Sequence, residues 1–234
     1  MSQFENQVVV VTGAAGNLGA AVANAFAAQG AHIVAIDRST ETMEKLFPTL
    51  AGTPNHLLVE GINLMDDEAI QRVAKNIDAR FGRVDVLVNT VGGYRAGTPV
   101  HETPLASWHF MLELNAGTVY SACHAILPIM LKNGHGHIIN TSAKAGLAGS
   151  ANHSAYSASK SAVMRLTESL AAEYKDRGIT VNTVMPATID TPQNRAAMPN
   201  ADFSKWTTPE QIAAVITFLA SDAGSIITGA HIPV

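Results

Sequence analysis

A single cysteine, Cys123, stands among 234 residues, so no internal disulfide can form. No cluster of Cys and His has the spacing of a metal site either, and a metal-free protein of a reducing compartment is expected. Charge is scarce. Only 15% of residues are Asp, Glu, Lys or Arg, the net charge is −4, and the basic residues are scattered, which leaves no electrostatic footprint for nucleic acid. The opening MSQFENQ lacks a charged n-region and an apolar h-region, and no uninterrupted apolar run approaches the ~20 residues needed to cross a bilayer. A cytoplasmic location without a membrane partner is expected. No Pro/Gly/Ser-rich linker, charge block, internal repeat or low-complexity stretch divides the chain, so one domain over residues 1–234 is expected.

Apolar residues make up 47% of the chain, which excludes a disordered protein and suits a sheet buried on both faces. Short β-branched runs recur at residues 8–11, 33–36, 57–59, 86–88, 137–140 and 180–184, with a last strand near 230–234. Between them lie stretches of helical periodicity. In the first, Leu18, Val22 and Phe26 recur every four residues, and Gly30 stands where a C-terminal cap is wanted. Repetition of this βα unit predicts a Rossmann-like, doubly wound, mostly parallel seven-stranded α/β sheet with helices on both faces.

In such folds ligands bind beyond the carboxyl ends of the strands, where strand order reverses. The stretch VTGAAGNLGAA follows the first strand directly. There Gly13 permits a tight turn, Gly16 lets the backbone approach a pyrophosphate, and Gly19 lets the helix pack closely on the sheet. A helix N-terminus next to the turn favours phosphate. Close packing alone would also select such a turn. Eighteen residues after Gly19, Asp37 ends the second strand, where a carboxylate accepts hydrogen bonds from an adenosine ribose and repels a 2′-phosphate. Arg38 follows and can reach toward such a phosphate, so NAD(H) is favoured and NADP(H) is possible. Two plainer roles stay open, Asp37 as a turn cap and Arg38 as a solvated side chain.

The stretch NTSAKAGLAGSANHSAYSASKSAV, residues 140–163, carries the chemistry. If a helix begins at about Ala155, Tyr156 and Lys160 share one face. A phenol of pKa about 10 that works near neutrality needs a shift of ~3 units, or ~4 kcal/mol. A positive charge ~4 Å away supplies ~1 kcal/mol in water but ~4 kcal/mol at an effective dielectric of ~20, so a semi-buried lysine suffices and an exposed one does not. Alone, this spacing describes a solvated helix face equally well. Here it follows Ser142, at a strand end, by 14 residues.

Together these features resemble the short-chain dehydrogenase/reductase family. The resemblance runs through TGAAGNLG, NTVG (89–92), LNAG (114–117), NTSA, YSASK, VNTVMPATIDTP and the closing FLASD and ITGAHIPV. It implies that Tyr156 donates a proton to a substrate carbonyl oxygen as hydride arrives, and takes it back in the oxidative direction. It also implies that Lys160 holds the nicotinamide ribose and lowers the Tyr156 pKa. Ser142 would stabilise the carbonyl oxygen, and Asn115 would keep a water in a proton relay. The dinucleotide would lie on Gly13, Gly16, Asn17, Leu18 and Gly19, with Asn63 and Leu64 around the adenine, Asn89 beside the cofactor, and Pro186, Ile189 and Thr191 at the nicotinamide. Core packing (Leu64, Ile189) and loop hydrogen bonding (Asn63, Asn89, Thr191) are the alternatives. A small carbonyl or alcohol substrate and a homotetramer or homodimer, paired through helices around 105–130 and 155–175, are implied as well.

Two departures stand out. Asn17 occupies the customary glycine of the family's T-G-x-x-x-G-x-G turn, and Ala187 replaces the glycine common after Pro186. Residues 187–208, with Met198, Phe203 and Trp206, read as a substrate loop. The string DTPQNR..MP.ADFSKW also resembles dihydropteridine reductases of the same family, so quinonoid pteridine reduction is one alternative. A non-catalytic dinucleotide sensor is another. Tyr94, Arg95, His153, Arg195 and Trp206 are candidate substrate contacts, with a surface ion pair open for Arg195 and a plain loop role for His153.

Overall fold

The computed structural model describes residues 2–39 and 43–234. The β-branched runs form strands β1 (Val8–Thr12), β2 (His32–Ile36), β3 (Leu57–Val59), β4 (Val86–Asn89), β5 (Gly136–Thr141), β6 (Ile179–Met185) and β7 (His231–Pro233). The described strands pair in parallel, in the order β3-β2-β1-β4-β5-β6-β7. Chain order reverses between β1 and β4, whose carboxyl ends meet at Thr12 and Asn89. That is where a doubly wound sheet leaves a crevice.

Helices α1 (Asn17–Ala27), α2 (Met43–Leu46), α3 (Asp67–Phe81), α4 (Leu105–Leu112), α5 (Thr118–Asn133), α6 (Ser154–Tyr174), α7 (Pro192–Ala197) and α8 (Pro209–Leu219) complete the element order. Alternation along β1 divides the core. Val8 and Val10 pack with Ile70 and Ile77 of α3, Ile126 of α5 and Val163 of α6, whereas Val9 and Val11 pack with Val22 and Phe26 of α1 and Ile212 and Ile216 of α8. Both sheet faces are therefore covered. Each buried valine contributes roughly 1.5–3 kcal/mol, which explains why strands buried on both sides read as unbroken apolar runs.

Gly30 caps α1 as its position predicts. It has φ +86, its N–H donates to Ala27 O, and Ala31 N–H reaches back to Phe26 O, the paired bonds of a Schellman ending.

Between α4 and α5 the periodicity gives no warning of a π turn, Glu113–Gly117, in which Thr118 N–H reaches Glu113 O. The Thr118 hydroxyl takes the neighbouring carbonyl of Leu114 at 2.7 Å. With this turn, α4 and α5 make one 29-residue helical rod, long and apolar enough to cross a membrane by length and composition alone. More than half of its most apolar stretch is instead buried inside the fold, against α3, β4 and β5. The rod also carries Asn115, which sits in the π turn beside Gly93 of the loop after β4, with its side chain fully buried.

Candidate active site

A cleft of about 740 Å³ opens beyond the carboxyl ends of β1, β2 and β4, walled by Gly13, Gly16, Asp37, Leu64, Gly92 and Arg95 among others. This is the size range of small-molecule and cofactor sites. Its glycines are there for clearance. Gly13 has φ +71, and a Cβ on Gly19 would stand 2.1 Å from Gly13 O, so α1 can start only if position 19 has no side chain. Asn17 meets no such obstacle. It is the first residue of α1, exposed, and its Nδ2 donates to Gln193 Oε1 on α7 at 2.9 Å. Gly16 precedes it as N-cap with no side-chain cap bond, so among the described residues the first-turn N–H groups beside the cleft have no capping side chain.

Asp37 takes the turn-capping role, and it does so on the wall of the cleft. Its carboxylate lines the cleft and accepts from Ala15 N and Ser39 N, each at 2.9 Å, so the acid is fixed against the glycine turn by two backbone donors. Arg38 and Asn63 are exposed on the same cleft, and Asn63 also accepts from Met65 N at 3.1 Å. Leu64 is buried in the core and borders the cleft as well.

Asn89 lies beneath the cleft rather than in its wall. Thr12 Oγ1 donates to Asn89 Oδ1, Asn89 Nδ2 to Asn140 Oδ1, and Asn140 Nδ2 to Thr167 Oγ1, which also accepts from Thr183 Oγ1, at 2.8–3.1 Å throughout. These buried groups form a continuous polar ladder across β1, β4, β5 and β6, with Thr167 contributed by α6.

On the far side of the crevice β5 ends at Thr141, and α6 carries Tyr156 and Lys160 one turn apart. Lys160 is 5% exposed; its Nζ donates to Thr141 O at 3.2 Å and would lie 3.0 Å from a Cβ on Gly92, so Gly92 gives it room at the cleft wall. Burial pulls the Lys160 ammonium down to about 8. Burial, and then the neighbouring Tyr94 phenol, push Tyr156 above the ordinary phenol range. That direction is opposite to the one the Tyr156/Lys160 spacing predicts, because burial of the phenol dominates. Ser142, buried, donates its hydroxyl to Lys160 O at 2.7 Å. Asn115 is held by three hydrogen bonds: its Nδ2 donates to Gly93 O and Ser159 Oγ, and its Oδ1 accepts from Gly93 N.

After β6, Pro186 is buried and Ala187 exposed. The segment that follows returns on itself: Ile189 pairs with Thr207 in an isolated parallel bridge, and Asp190 N–H donates to Thr207 O at 2.9 Å. Thr191 caps α7, accepting from Asn194 N, while Ile189 packs on the core. Arg195 is held bidentately by Asp190 at 2.6 and 2.7 Å and lies over the Phe203 ring, so its charge is already partnered within the segment. Trp206, half-buried, packs on Phe203. Among the described residues no group of three or more His, Cys, Asp or Glu is arranged to hold a metal ion.

A family model described as short chain dehydrogenase matches residues 7–202. The chain belongs to the short-chain dehydrogenase/reductase family. It is 35% identical over 239 residues to D-threitol dehydrogenase of Mycolicibacterium smegmatis, with 98% of this chain and 92% of that protein covered. It is 32% identical over 235 residues to a 3-oxoacyl-[acyl-carrier-protein] reductase of Thermotoga maritima, covering 97% and 95%. The solved structure of NAD+-bound xylitol dehydrogenase superposes with a TM-score of 0.90 at 25% identity, covering 99% of this chain and 98% of that one.

This short-chain dehydrogenase/reductase is thus an oxidoreductase, and two features of its site were hidden in the sequence. One is the π turn that presents Asn115. The other is an aromatic group: the Tyr94 ring stands edge-on to Tyr156, centroids 4.9 Å apart, and the Tyr94 hydroxyl lies 3.0 Å from His153 Nε2. The H-x-x-Y spacing places His153 near Tyr156, but nothing in the sequence brings Tyr94 to both. Arg95 lies over the Phe110 ring at 3.9 Å and borders the cleft.

Proposed function

We propose that the protein is a reversible NAD-dependent carbonyl reductase and secondary-alcohol dehydrogenase, with residues 1–234 acting as one catalytic domain. The observation that carries this is the buried Lys160 behind Gly92, one helical turn from Tyr156 at the edge of a glycine-walled cleft. The cleft fits a dinucleotide: Gly13 and Gly19 are sites a Cβ would crowd, the first turn of α1 is uncapped, and a carboxylate is fixed where a ribose would lie. Bound there, the nicotinamide ring supplies or accepts the hydride.

Gly13, Gly16, Asn17, Leu18 and Gly19 would hold the pyrophosphate, Asp37 the adenosine ribose, and Asn63 and Leu64 the adenine. Pro186, Ile189 and Thr191 would flank the nicotinamide. Asp37 favours NAD(H), since a 2′-phosphate would face its carboxylate, while Arg38 offers a weaker route to NADP(H). In reduction the Tyr156 O–H passes its proton to the carbonyl oxygen, giving the alcohol and a phenolate. Lys160, freed from Thr141 O, stabilises that phenolate at short range. Ser142 serves the same oxygen once its hydroxyl turns away from Lys160 O, a rotation about one side-chain bond. Asn115, fixed by Gly93 and Ser159, keeps the backbone behind Lys160 in place for a proton relay. The 187–208 segment, closed at its base by the Ile189–Thr207 bridge, acts as the substrate loop. Exposed Leu105, Trp108 and Tyr120 on the α4–α5 rod fit a homo-oligomeric contact.

The test is absorbance at the nicotinamide band with secondary alcohols, ketones and a quinonoid pterin, each with both dinucleotides. Turnover of alcohols and ketones with NAD(H) is expected. Turnover of the pterin alone would replace this reading with pteridine reduction, and dinucleotide binding without any turnover would replace it with a sensor.

A further inference from the structure

Two loops meet above the Tyr156 ring. Gly97 N–H donates to Asn152 O at 2.9 Å, which ties the loop after β4 to the turn before α6. Both residues have positive φ, +114 for Gly97 and +63 for Asn152, so each chain bends sharply at the tie. Tyr94 and His153 meet across it.

The hydrogen-bond partners settle which way this contact runs. His153 Nδ1 lies 2.8 Å from Ala151 O, and a carbonyl oxygen only accepts, so Nδ1 carries the hydrogen. In the neutral imidazole Nε2 is then an acceptor, and the Tyr94 hydroxyl, 3.0 Å away, donates to it. Tyr94 therefore has no hydrogen left to give. Its oxygen keeps its lone pairs, its ring stands edge-on to Tyr156, and the residue is 61% exposed, so a small molecule held at Tyr156 can reach it.

We infer that Tyr94 is a specificity-determining hydrogen-bond acceptor, positioned by His153, that selects substrates carrying a second hydroxyl next to the reacting carbon: vicinal diols and the corresponding hydroxyketones. This rests on the hydride-transfer reading above. In oxidation the reacting carbinol loses hydride to the nicotinamide and its hydroxyl proton to the Tyr156 phenolate, giving a ketone. The second hydroxyl stays intact and donates to Tyr94 Oη. A substrate with a carbonyl at that second place would set lone pairs against lone pairs, so diketones and 3-oxoacyl compounds are disfavoured relative to hydroxyketones.

The test compares 2,3-butanediol with 2-butanol, which differ only in the second hydroxyl. In the wild type and in Tyr94→Phe, ligand-detected NMR titration with NAD+ present gives the ratio of their dissociation constants, and steady-state assays give the ratio of their kcat/KM. Loss of one hydrogen bond in a half-open site lowers the diol preference about tenfold in both ratios. His153→Ala, which leaves Tyr94 in place but frees its hydroxyl to rotate, lowers them about threefold. Ratios unchanged in Tyr94→Phe overturn the inference, as does a loss shared equally by both alcohols. The binding ratio judges Tyr94 even without turnover. A wild type that binds the diol through Tyr94 yet oxidises neither alcohol overturns the dehydrogenase reading and leaves the acceptor role standing.

Discussion

The two banks of the cleft are prepared to different degrees. On the β1–β2 bank the groups are open or fixed in place: the glycine turn leaves no room for side chains, the start of α1 has no side-chain cap bond, and the Asp37 carboxylate is held by two backbone N–H groups. On the β5–α6 bank the Ser142 hydroxyl donates to Lys160 O and the Lys160 ammonium to Thr141 O, while Tyr156 sits above the ordinary phenol range. Under the proposed function the first bank needs no rearrangement, whereas two side chains of the second, Ser142 and Lys160, must turn away from their carbonyl partners. Rigid donors cost nothing to organise at the moment of binding, whereas a buried acid–base set that is active without substrate would be free to react with solvent.

The largest expected effect tests whether the banks are separable at all. Tyr156→Phe should lower kcat/KM for a ketone by about 10³-fold or more, the scale of a lost general acid, while the dissociation constant of NADH, read by fluorescence titration, stays within about twofold. A parallel loss of NADH affinity would join the two banks.

Next is Lys160→Met, with a loss of about 10²-fold in turnover and a signature in stability. An ordinary lysine titrates at about 10.5, and burial lowers Lys160 to about 8 in the folded protein. Between those values the unfolded chain binds more protons than the native one, so the ligand-free wild type should gain stability as pH rises from about 8 to 10.5, on the order of 3 kcal/mol. Below pH 8 this destabilisation is constant. In Lys160→Met the rise should vanish and the protein should be the more stable of the two at pH 7, as denaturant melts across that range would show.

On the other bank, Asp37→Ala should reduce the ratio of kcat/KM for NADH over NADPH about tenfold or more, because a charge-assisted hydrogen bond to the ribose is lost and a repulsion relieved. An unchanged ratio would mean that the carboxylate serves only Ala15 and Ser39. The smallest effect belongs to Asn17→Gly, which removes the bond to Gln193. A two- to threefold rise in the KM of the dinucleotide is expected, the scale of one exposed hydrogen bond.

The same division decided what could be read from the sequence. Strands such as β1 were legible because burial on both faces demands a run of valines, and Gly30 was legible because a Schellman ending demands positive φ. Gly13 and Gly19 followed from steric clearance, which is a property of single positions. The four-residue α2 was too short to show a period, and the π turn at Asn115 shifts register by one residue without any change in composition. Tyr94 reaches Tyr156 only because two loops are tied by the Gly97–Asn152 bond, and a contact between residues 62 apart leaves no local trace. Arg195 needed the loop's own fold before Asp190 was known to hold it. The resting directions of Ser142 and Lys160 depend on which carbonyl lies nearest, and residue type says nothing of that.

The polar ladder beneath the cleft also governs how the protein comes apart. Thr12, Asn89, Asn140 and Thr183 stand side by side on four adjacent strands, linked by hydrogen bonds with Thr167 of α6 joining the last two, all buried from water. Sliding any one strand by a residue would turn its member to the opposite face and leave the neighbours' amide and hydroxyl groups unsatisfied. In heavy water the backbone amides of this row should therefore be among the last to take up deuterium, opening only when the whole sheet does, while those of the 187–208 segment exchange within its own local fluctuations. The floor under the cleft is, in that sense, the slowest clock in the molecule.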